Sequence, residues 1–144
     1  GPSSKGVRLG VEGYGAPGRR WYGVSRVRGI RGATTTSSNT RDAILDATKE
    51  LLDGLVEANN IDPDEVAAVI FTTTHDLNAE FPAVAARKMG WNNVALMCGH
   101  EMQVPDGLPN CIRILILLNT EKAPQELVHV YLKGASNLRE RGRA

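Results

Sequence analysis

Arg113 interrupts an apolar run, rich in branched side chains, that covers residues 111–118. That composition predicts an interior strand. Because side chains alternate between the two faces of a strand, Arg113 shares its face with Leu115 and Leu117, and the opposite face is apolar as well. A guanidinium keeps its proton, so a buried one needs a carboxylate or an anionic ligand beside it. The run therefore predicts either a structural ion pair or an arginine that faces a ligand, and the ligand is favoured because burial rarely suits a charge.

A few other side chains could join Arg113 in binding an anion. Arg31, Arg87, Glu101 and Tyr131 each lie on or beside a predicted element of secondary structure. Because the arginine fork matches a planar carboxylate, several converging arginines would select a small dianionic substrate. The alternative is structural, since Arg31 or Arg87 could make surface ion pairs and Tyr131 could be a core aromatic residue with its hydroxyl at the rim.

The segment from Cys98 to Glu101 is predicted to follow a strand directly, where ligands often meet an α/β sheet. It shows no sign of metal chemistry, because His75 and His129 are isolated and no second cysteine or histidine cluster has finger spacing. A nucleophilic pair of Cys98 and His100 would lack a third group to orient it. The glycines lack the spacing of a phosphate loop. We therefore predict neither a metal nor a cofactor.

Composition limits the classes of protein to consider. The chain has 144 residues, 42% of them hydrophobic, and its 17 basic and 16 acidic residues leave a net charge of +1. One ordinary globular domain is expected, without the global field that would attract nucleic acid or a membrane surface. Only two cysteines are present, which suggests reduced thiols in a cytoplasmic protein. No apolar run is long enough to span a bilayer, and no signal peptide is recognisable.

The folded domain is predicted to cover residues 21–139, followed by a short tail at residues 140–144. Gly1-Pro2-Ser3 has the look of a tag remnant, and the glycine-rich, basic stretch up to residue 20 is predicted to be a flexible extension.

Strands are predicted to alternate with helices inside this domain. We expect strands at residues 21–35, 66–73, 91–97, 111–118 and 127–132. One helix should follow a cap at Asn39 and pack through an apolar stripe, and a second should run from Phe81-Pro82 to Gly90. Single turns are expected at Asp62-Pro63 and Pro124. This order predicts an α/β or α+β sandwich, with a mixed sheet and helices packed on one face.

Five ordered segments of the chain together resemble the trimeric α/β class of monofunctional chorismate mutase. They are Arg28-Gly29-Ile30-Arg31-Gly32-Ala33-Thr34-Thr35, Phe81-Pro82-Ala83 with Arg87, residues 98–102, Cys111-Ile112-Arg113, and His129-Val130-Tyr131-Leu132. The resemblance covers residues 27–139. It implies a homotrimer with a barrel-like core and active sites in the clefts between neighbouring subunits.

The implied reaction is the cofactor-free rearrangement of chorismate, a dicarboxylate, to prephenate in phenylalanine and tyrosine biosynthesis. By resemblance, Arg113 donates to the ether oxygen and to a carboxylate. Arg31 and Tyr131 hold carboxylates, and Glu101 with Cys98 holds the ring hydroxyl. Such a step needs positioning and fixed charges rather than a nucleophile.

The resemblance also implies residues that complete the site from elsewhere. Phe81, Ala83 and Arg87 would come from the neighbouring subunit and form the other wall. Leu138 and Arg139 would close the mouth as a tail that orders on binding. Trimerisation would then be a condition for activity.

The chain departs from the family at two contact positions. Val84 stands where the family often has lysine, and Met97 stands where threonine is common, so contacts from those side chains are not carried over. Two other functions stay open: a trimeric imine or enamine deaminase of similar structure, against which Cys98 with Glu101 argues, and a catalytically silent trimer that binds an aromatic-pathway metabolite.

Overall fold

The computed structural model describes residues 24–138. The predicted extension, the tail and Arg139 lie outside the described residues, so the predicted domain boundaries stay predictions. The strands and helices, in chain order, are β1 (Arg26–Thr35), α1 (Arg41–Asn59), β2 (Val66–Thr73), α2 (Ala83–Lys88), β3 (Ala95–His100), β4 (Cys111–Thr120) and β5 (Val130–Tyr131). Single turns of 3-10 helix lie at Pro63–Glu65, Pro124–Glu126 and Lys133–Ala135.

The five strands form one mixed sheet in the order β3-β2-β4-β1-β5. The central strand β4 is antiparallel to β1 and β2, whereas β3 is parallel to β2 and β5 is parallel to β1. In this register Arg113 lies directly between Ala33 of β1 and Thr72 of β2. The predicted mixed sheet is confirmed, and its register sets the neighbours of the key arginine.

Both helices pack on the same face of the sheet, as predicted. The stripe of α1 buries Leu51, Leu52 and Leu55 completely, and α2 adds Ala86. These side chains share one core with the apolar sheet residues Ile30, Val69, Phe71, Ile114, Ile116 and Leu118. The burial of this core is the main force that fixes the sheet against the helices.

The other face of the sheet is largely open in this chain. Leu115 and Leu117 are partly exposed there, and Val27 and Met97 are 55% and 62% exposed. The side chain of Arg113 is 46% exposed. The prediction of a central strand is correct, but the prediction that Arg113 is buried is wrong for the single chain. The reason is that both helices cover the opposite face.

Several element ends differ from their predicted positions. Thr40, not Asn39, caps α1, and its hydroxyl accepts a hydrogen bond from Ala43 N at 3.1 Å. The Asn39 side chain accepts instead from the backbone N–H groups of Asn78 and Ala79, at 2.9 and 3.0 Å. Asn39 therefore ties the start of α1 to the loop before α2.

Strand β3 begins four residues later than predicted and continues through His100. The C-terminal end of α2 explains the late start: Gly90 has a φ of 94°, and Trp91 N then donates to Ala86 O. Trp91 is buried in the core rather than paired in the sheet. Cys98 consequently lies inside the strand, not after it.

The last strand is much shorter than predicted, because only Val130 and Tyr131 pair with β1. The chain before it is held by the buried side chain of Asn59 at the end of α1. Asn59 donates to Val128 O and accepts from Val128 N, both at 2.8 Å. A polar side chain therefore takes the place of strand pairing at residue 128.

A hydrogen-bonded link joins the end of β2 to the start of β4. The Thr74 hydroxyl accepts from Cys111 N at 3.0 Å and donates to Asp76 Oδ1 at 2.5 Å, and Asp76 Oδ2 accepts from Asn110 N at 2.9 Å. Desolvation opposes the ionisation of Asp76, but these hydrogen bonds outweigh it and hold the pKa below its usual 3.8. The link fixes the register that places Arg113.

No helix among residues 24–138 has the length and apolar character needed to cross a membrane.

Candidate active site

A cavity of about 540 Å³ opens on the face of the sheet that carries Arg113. Five of the ten predicted site residues line it: Arg31, Glu101, Arg113, Tyr131 and Leu138. Its volume falls in the usual range for small-molecule sites, and its lining mixes charged groups with apolar ones. The sheet and the C-terminal segment thus bring together half of the predicted set.

The strand register explains why the cations converge. Arg31 pairs with Leu115, two residues along β4 from Arg113, so the two arginines are diagonal neighbours on one face. Such neighbours lie about 7–8 Å apart. Tyr131 joins them because β5 pairs it with Ala33, which also opposes Arg113. Two like charges at this spacing favour an anion between them.

Glu101 supplies the opposite charge. Its backbone N–H donates to Thr73 O at 2.9 Å, which extends the pairing of β3 with β2 by one residue. Its Oε2 lies 3.2 Å from Arg113 Nη1 and accepts a hydrogen bond from the Thr72 hydroxyl. The ion-pair alternative for Arg113 is therefore observed, and because Glu101 lines the same cavity, a role for Arg113 in binding a ligand stays a prediction.

Cys98, Phe81, Ala83 and Arg87 are not part of this cavity. Cys98 and Phe81 line a second cavity of about 400 Å³. Ala83 and Arg87 lie on α2, the first buried and the second exposed. Cys98 opposes Phe71, a core residue, and so faces the helices. The structure thus separates these four residues from Arg113 within one chain.

Cys98 and Glu101 therefore do not meet on one ligand group in the single chain. They are three residues apart along an extended segment, and residues at odd separations in a strand point to opposite faces. Burial raises the pKa of the Cys98 thiol, although a hydrogen bond with the backbone of Ala83 and the charge of Arg87 oppose that shift. Burial likewise raises the pKa of the Cys111 thiol to about 11. Both cysteines are thus thiols rather than thiolates near neutral pH.

The sequence did not single out Thr72, although it lines the cavity and touches Glu101. The alternation of side chains between the two faces of β2 is the sequence feature that points to Thr72. Ala68, Ile70 and Thr72 share a face, so Thr72 is the polar member of an otherwise apolar set. The signal is weak in the sequence, because Thr73 and Thr74 follow directly and a run of threonines is typical of a strand end.

The histidines are less isolated than their sequence positions suggest. His75 and His100 stack with ring centroids 4.8 Å apart, and His75 Nε2 lies 3.1 Å from Glu101 O. His129 Nδ1 accepts from Arg31 N at 3.0 Å. In the part of the chain that the structure describes, no group of three or more histidine, cysteine or acidic side chains could hold a metal ion.

Comparison with known proteins assigns the family. The family model of chorismate mutase type I matches residues 27–141. The chain is 50% identical over 114 residues to chorismate mutase AroH of Thermus thermophilus, an alignment that covers 78% of this chain and 93% of that protein. It is 41% identical over 114 residues to chorismate mutase AroH of Bacillus subtilis (strain 168), over 78% of this chain and 90% of that protein.

A solved structure agrees with both relatives. The chorismate mutase from Clostridium thermocellum has 50% sequence identity and a TM-score of 0.75, over 76% of this chain and 97% of that one. At this identity and coverage the likeness extends beyond the fold to the function. The chain therefore belongs to the chorismate mutase type I family and is an isomerase with chorismate mutase activity.

Proposed function

We propose that the cavity around Arg113 is where chorismate rearranges to prephenate, without a cofactor, in the biosynthesis of phenylalanine and tyrosine. The observation that carries this proposal is the ion pair between Arg113 Nη1 and Glu101 Oε2, 3.2 Å apart on the cavity wall. In the reaction the ether C–O bond breaks while a C–C bond forms. Negative charge grows on the ether oxygen and the ring becomes partly cationic, so a fixed cation and a fixed anion lower the barrier.

The ion pair would open when substrate binds. Arg113 would then donate to the ether oxygen and to a carboxylate, and Glu101 would accept from the ring hydroxyl and favour the cationic ring. A guanidinium has five N–H donors, so one arginine can serve both oxygens. The opposite charges would thus face opposite ends of the charge separation that develops in the transition state.

The rest of the cavity would bind the substrate as a dianion. Arg31 and the hydroxyl of Tyr131 would hold carboxylates, which offsets the repulsion between Arg31 and Arg113. Leu138 lies at the cavity and would close its mouth. Arg139, outside the described residues, would follow Leu138 and assist it.

We propose that a neighbouring subunit supplies the second wall, with Phe81, Ala83, Arg87 and Cys98. Support comes from the separation of these residues from Arg113 within one chain and from the exposure of Phe81, which is 66% accessible. Cys98 would then meet the ring hydroxyl from across the interface. This proposal keeps the contact between Cys98 and the ring hydroxyl, but it places Cys98 on the wall opposite Glu101.

The same reasoning supports a homotrimer. The open face of the sheet exposes Val27 and Met97 and leaves Leu115 and Leu117 partly exposed. An apolar face of this kind is typical of a surface that another chain covers. Three such sheets packed together would form the barrel-like core that the resemblance implies and would complete three sites.

We also propose that the enzyme works in the cytoplasm. The support is chemical: Cys98 and Cys111 are free thiols, as expected in a reducing compartment.

The direct test is to incubate the purified protein with chorismate, follow the loss of chorismate absorbance, and identify the product as prephenate by NMR. Arg113→Ala serves as the control for contaminating enzyme. Absence of turnover at micromolar protein would reject the proposal. Light scattering on the same sample should give the mass of three chains.

A further inference from the structure

We propose that Thr72 is a positioning residue that orients the Glu101 carboxylate for the reaction. The proposal rests on the function proposed above for the Arg113 cavity. Thr72 occupies the middle of the site, because its pairing partners are Arg113 on β4 and Gly99 on β3. It therefore stands between the cation and the segment that carries the anion.

The contacts of Glu101 show what Thr72 does. The Thr72 hydroxyl donates to Oε2, the same oxygen that lies 3.2 Å from Arg113 Nη1. Among residues 24–138, no hydrogen bond is directed at Oε1. The carboxylate is thus held by one oxygen, and the other is left for a ligand hydroxyl.

The backbone of Glu101 is already fixed on both sides. Its N–H donates to Thr73 O at 2.9 Å, and its carbonyl oxygen lies 3.1 Å from His75 Nε2. The remaining freedom is in the three rotatable bonds of its side chain. Thr72 is suited to restrict that freedom, because its own β-branched side chain has few rotamers and its backbone is paired on both edges.

The contact with Thr72 matters most when substrate is present. The proposed reaction redirects Arg113 to the ether oxygen and a carboxylate, which removes the ion pair as a restraint on Glu101. The Thr72 hydroxyl is then the contact that keeps the carboxylate in place. Loss of that hydroxyl should therefore affect the transition state more than the binding of substrate.

The test compares two substitutions that differ in one group. Thr72→Val removes the hydroxyl and keeps the branched shape, and we expect kcat to fall about tenfold, the scale of one hydrogen bond to a charged group. KM should change by less than about threefold, since the carboxylate-binding arginines are intact. Thr72→Ser restores the hydroxyl and should recover kcat to within about threefold of wild type.

A matched control is Thr120→Val at the end of β4, which removes a strand hydroxyl that accepts from Lys122 N at 3.2 Å. It should leave kcat unchanged. A second measurement introduces Thr72→Val into Glu101→Gln, where the loss of the hydroxyl should have little further effect because both changes act through one carboxylate.

Each outcome is informative. Wild-type kcat in Thr72→Val, failure of Thr72→Ser to recover it, or a full tenfold loss in the Glu101→Gln background would each overturn the proposal. If Thr72→Val does not fold, as judged by circular dichroism, Thr72→Ala takes its place with the same expectation. Lack of turnover by the wild-type protein would instead reject the function proposed above, so the two failures are distinguishable.

Discussion

Replacing Arg113 with lysine separates the charge of this residue from its geometry. Lysine keeps the positive charge but exchanges a planar fork for a single ammonium on a flexible stem. If Arg113 donates to the ether oxygen in the transition state, kcat should fall at least ~10²-fold, which corresponds to about 2.7 kcal/mol for one such donor.

The structure predicts a much smaller effect on stability. The Arg113 and Glu101 side chains are 46% and 24% exposed, so solvent screens the pair that their 3.2 Å contact makes. Pairs of this kind contribute about 1 kcal/mol at most, and lysine retains the charge. The free energy of unfolding should therefore change by less than ~1 kcal/mol, with a shift in Tm of only a few degrees.

The assay is steady-state loss of chorismate, measured beside thermal unfolding of the same preparation. Arg28→Lys is the matched control, because Arg28 Nε donates to Lys122 O at 3.1 Å and Arg28 pairs with Leu118. Leu118 lies five residues along β4 from Arg113, about 17 Å at the usual rise per residue. Near-normal kcat in Arg113→Lys would refute its role as the donor. A loss of kcat matched by a loss of folded protein would refute the separation of catalysis from stability.

The local environments of four residues give further predictions. Cys98→Ser should lower kcat less than about tenfold, and complete inactivation would instead indicate covalent chemistry. In the wild-type protein, mass spectrometry should show slow alkylation of Cys98 near neutral pH, because burial raises the pKa of its thiol. Gly54→Ala should raise the free energy of unfolding by about 0.5–1 kcal/mol, since α1 has room for the methyl group. Gly134→Ala should lower the free energy of unfolding by about 1–3 kcal/mol, because the new Cβ would lie 2.9 Å from Thr35 Oγ1. Equal free energies of unfolding for the Gly54→Ala and Gly134→Ala variants, measured in urea, would contradict both predictions. Asp76 has a folded pKa below 3.8, so it stabilises the fold above that pH and its contribution is lost as the pH falls through the folded pKa; Asp76→Asn should therefore flatten the decline of Tm in acid, and an unchanged decline would contradict this.

Local pattern was sufficient for the elements that bury one apolar side. Strand β2 has the predicted bounds, and the stripe of α1 packs as its helical spacing indicated. Asp62 caps the turn at Pro63–Glu65 with its side chain on Asp64 N at 3.0 Å. These features depend on neighbours within a few residues, so the sequence contains what is needed to predict them.

Features that depend on distant packing could not be predicted in the same way. An apolar strand such as β4 shows which side chains share a face, but not which face the helices cover. The sequence therefore predicts a buried Arg113, whereas its side chain lies on the open side. The sequence does not show the separation of Cys98 from Glu101, because the predicted third strand ends before Cys98. The observed β3 continues through His100, and this turns the two residues to opposite faces.

The most direct test of a shared active site is complementation between two inactive variants. One variant carries Arg113→Ala, which damages the first wall, and the other carries Phe81→Ala with Arg87→Ala, which damages the second. The two chains are co-expressed at equal levels, mixed assemblies are purified with two different tags, and chorismate turnover is measured. In every mixed ring of three subunits one of the three interfaces combines two intact walls, so the doubly purified assemblies should have about one third of wild-type activity. Activity no higher than the mean of the two homogeneous variants would contradict a site built between subunits.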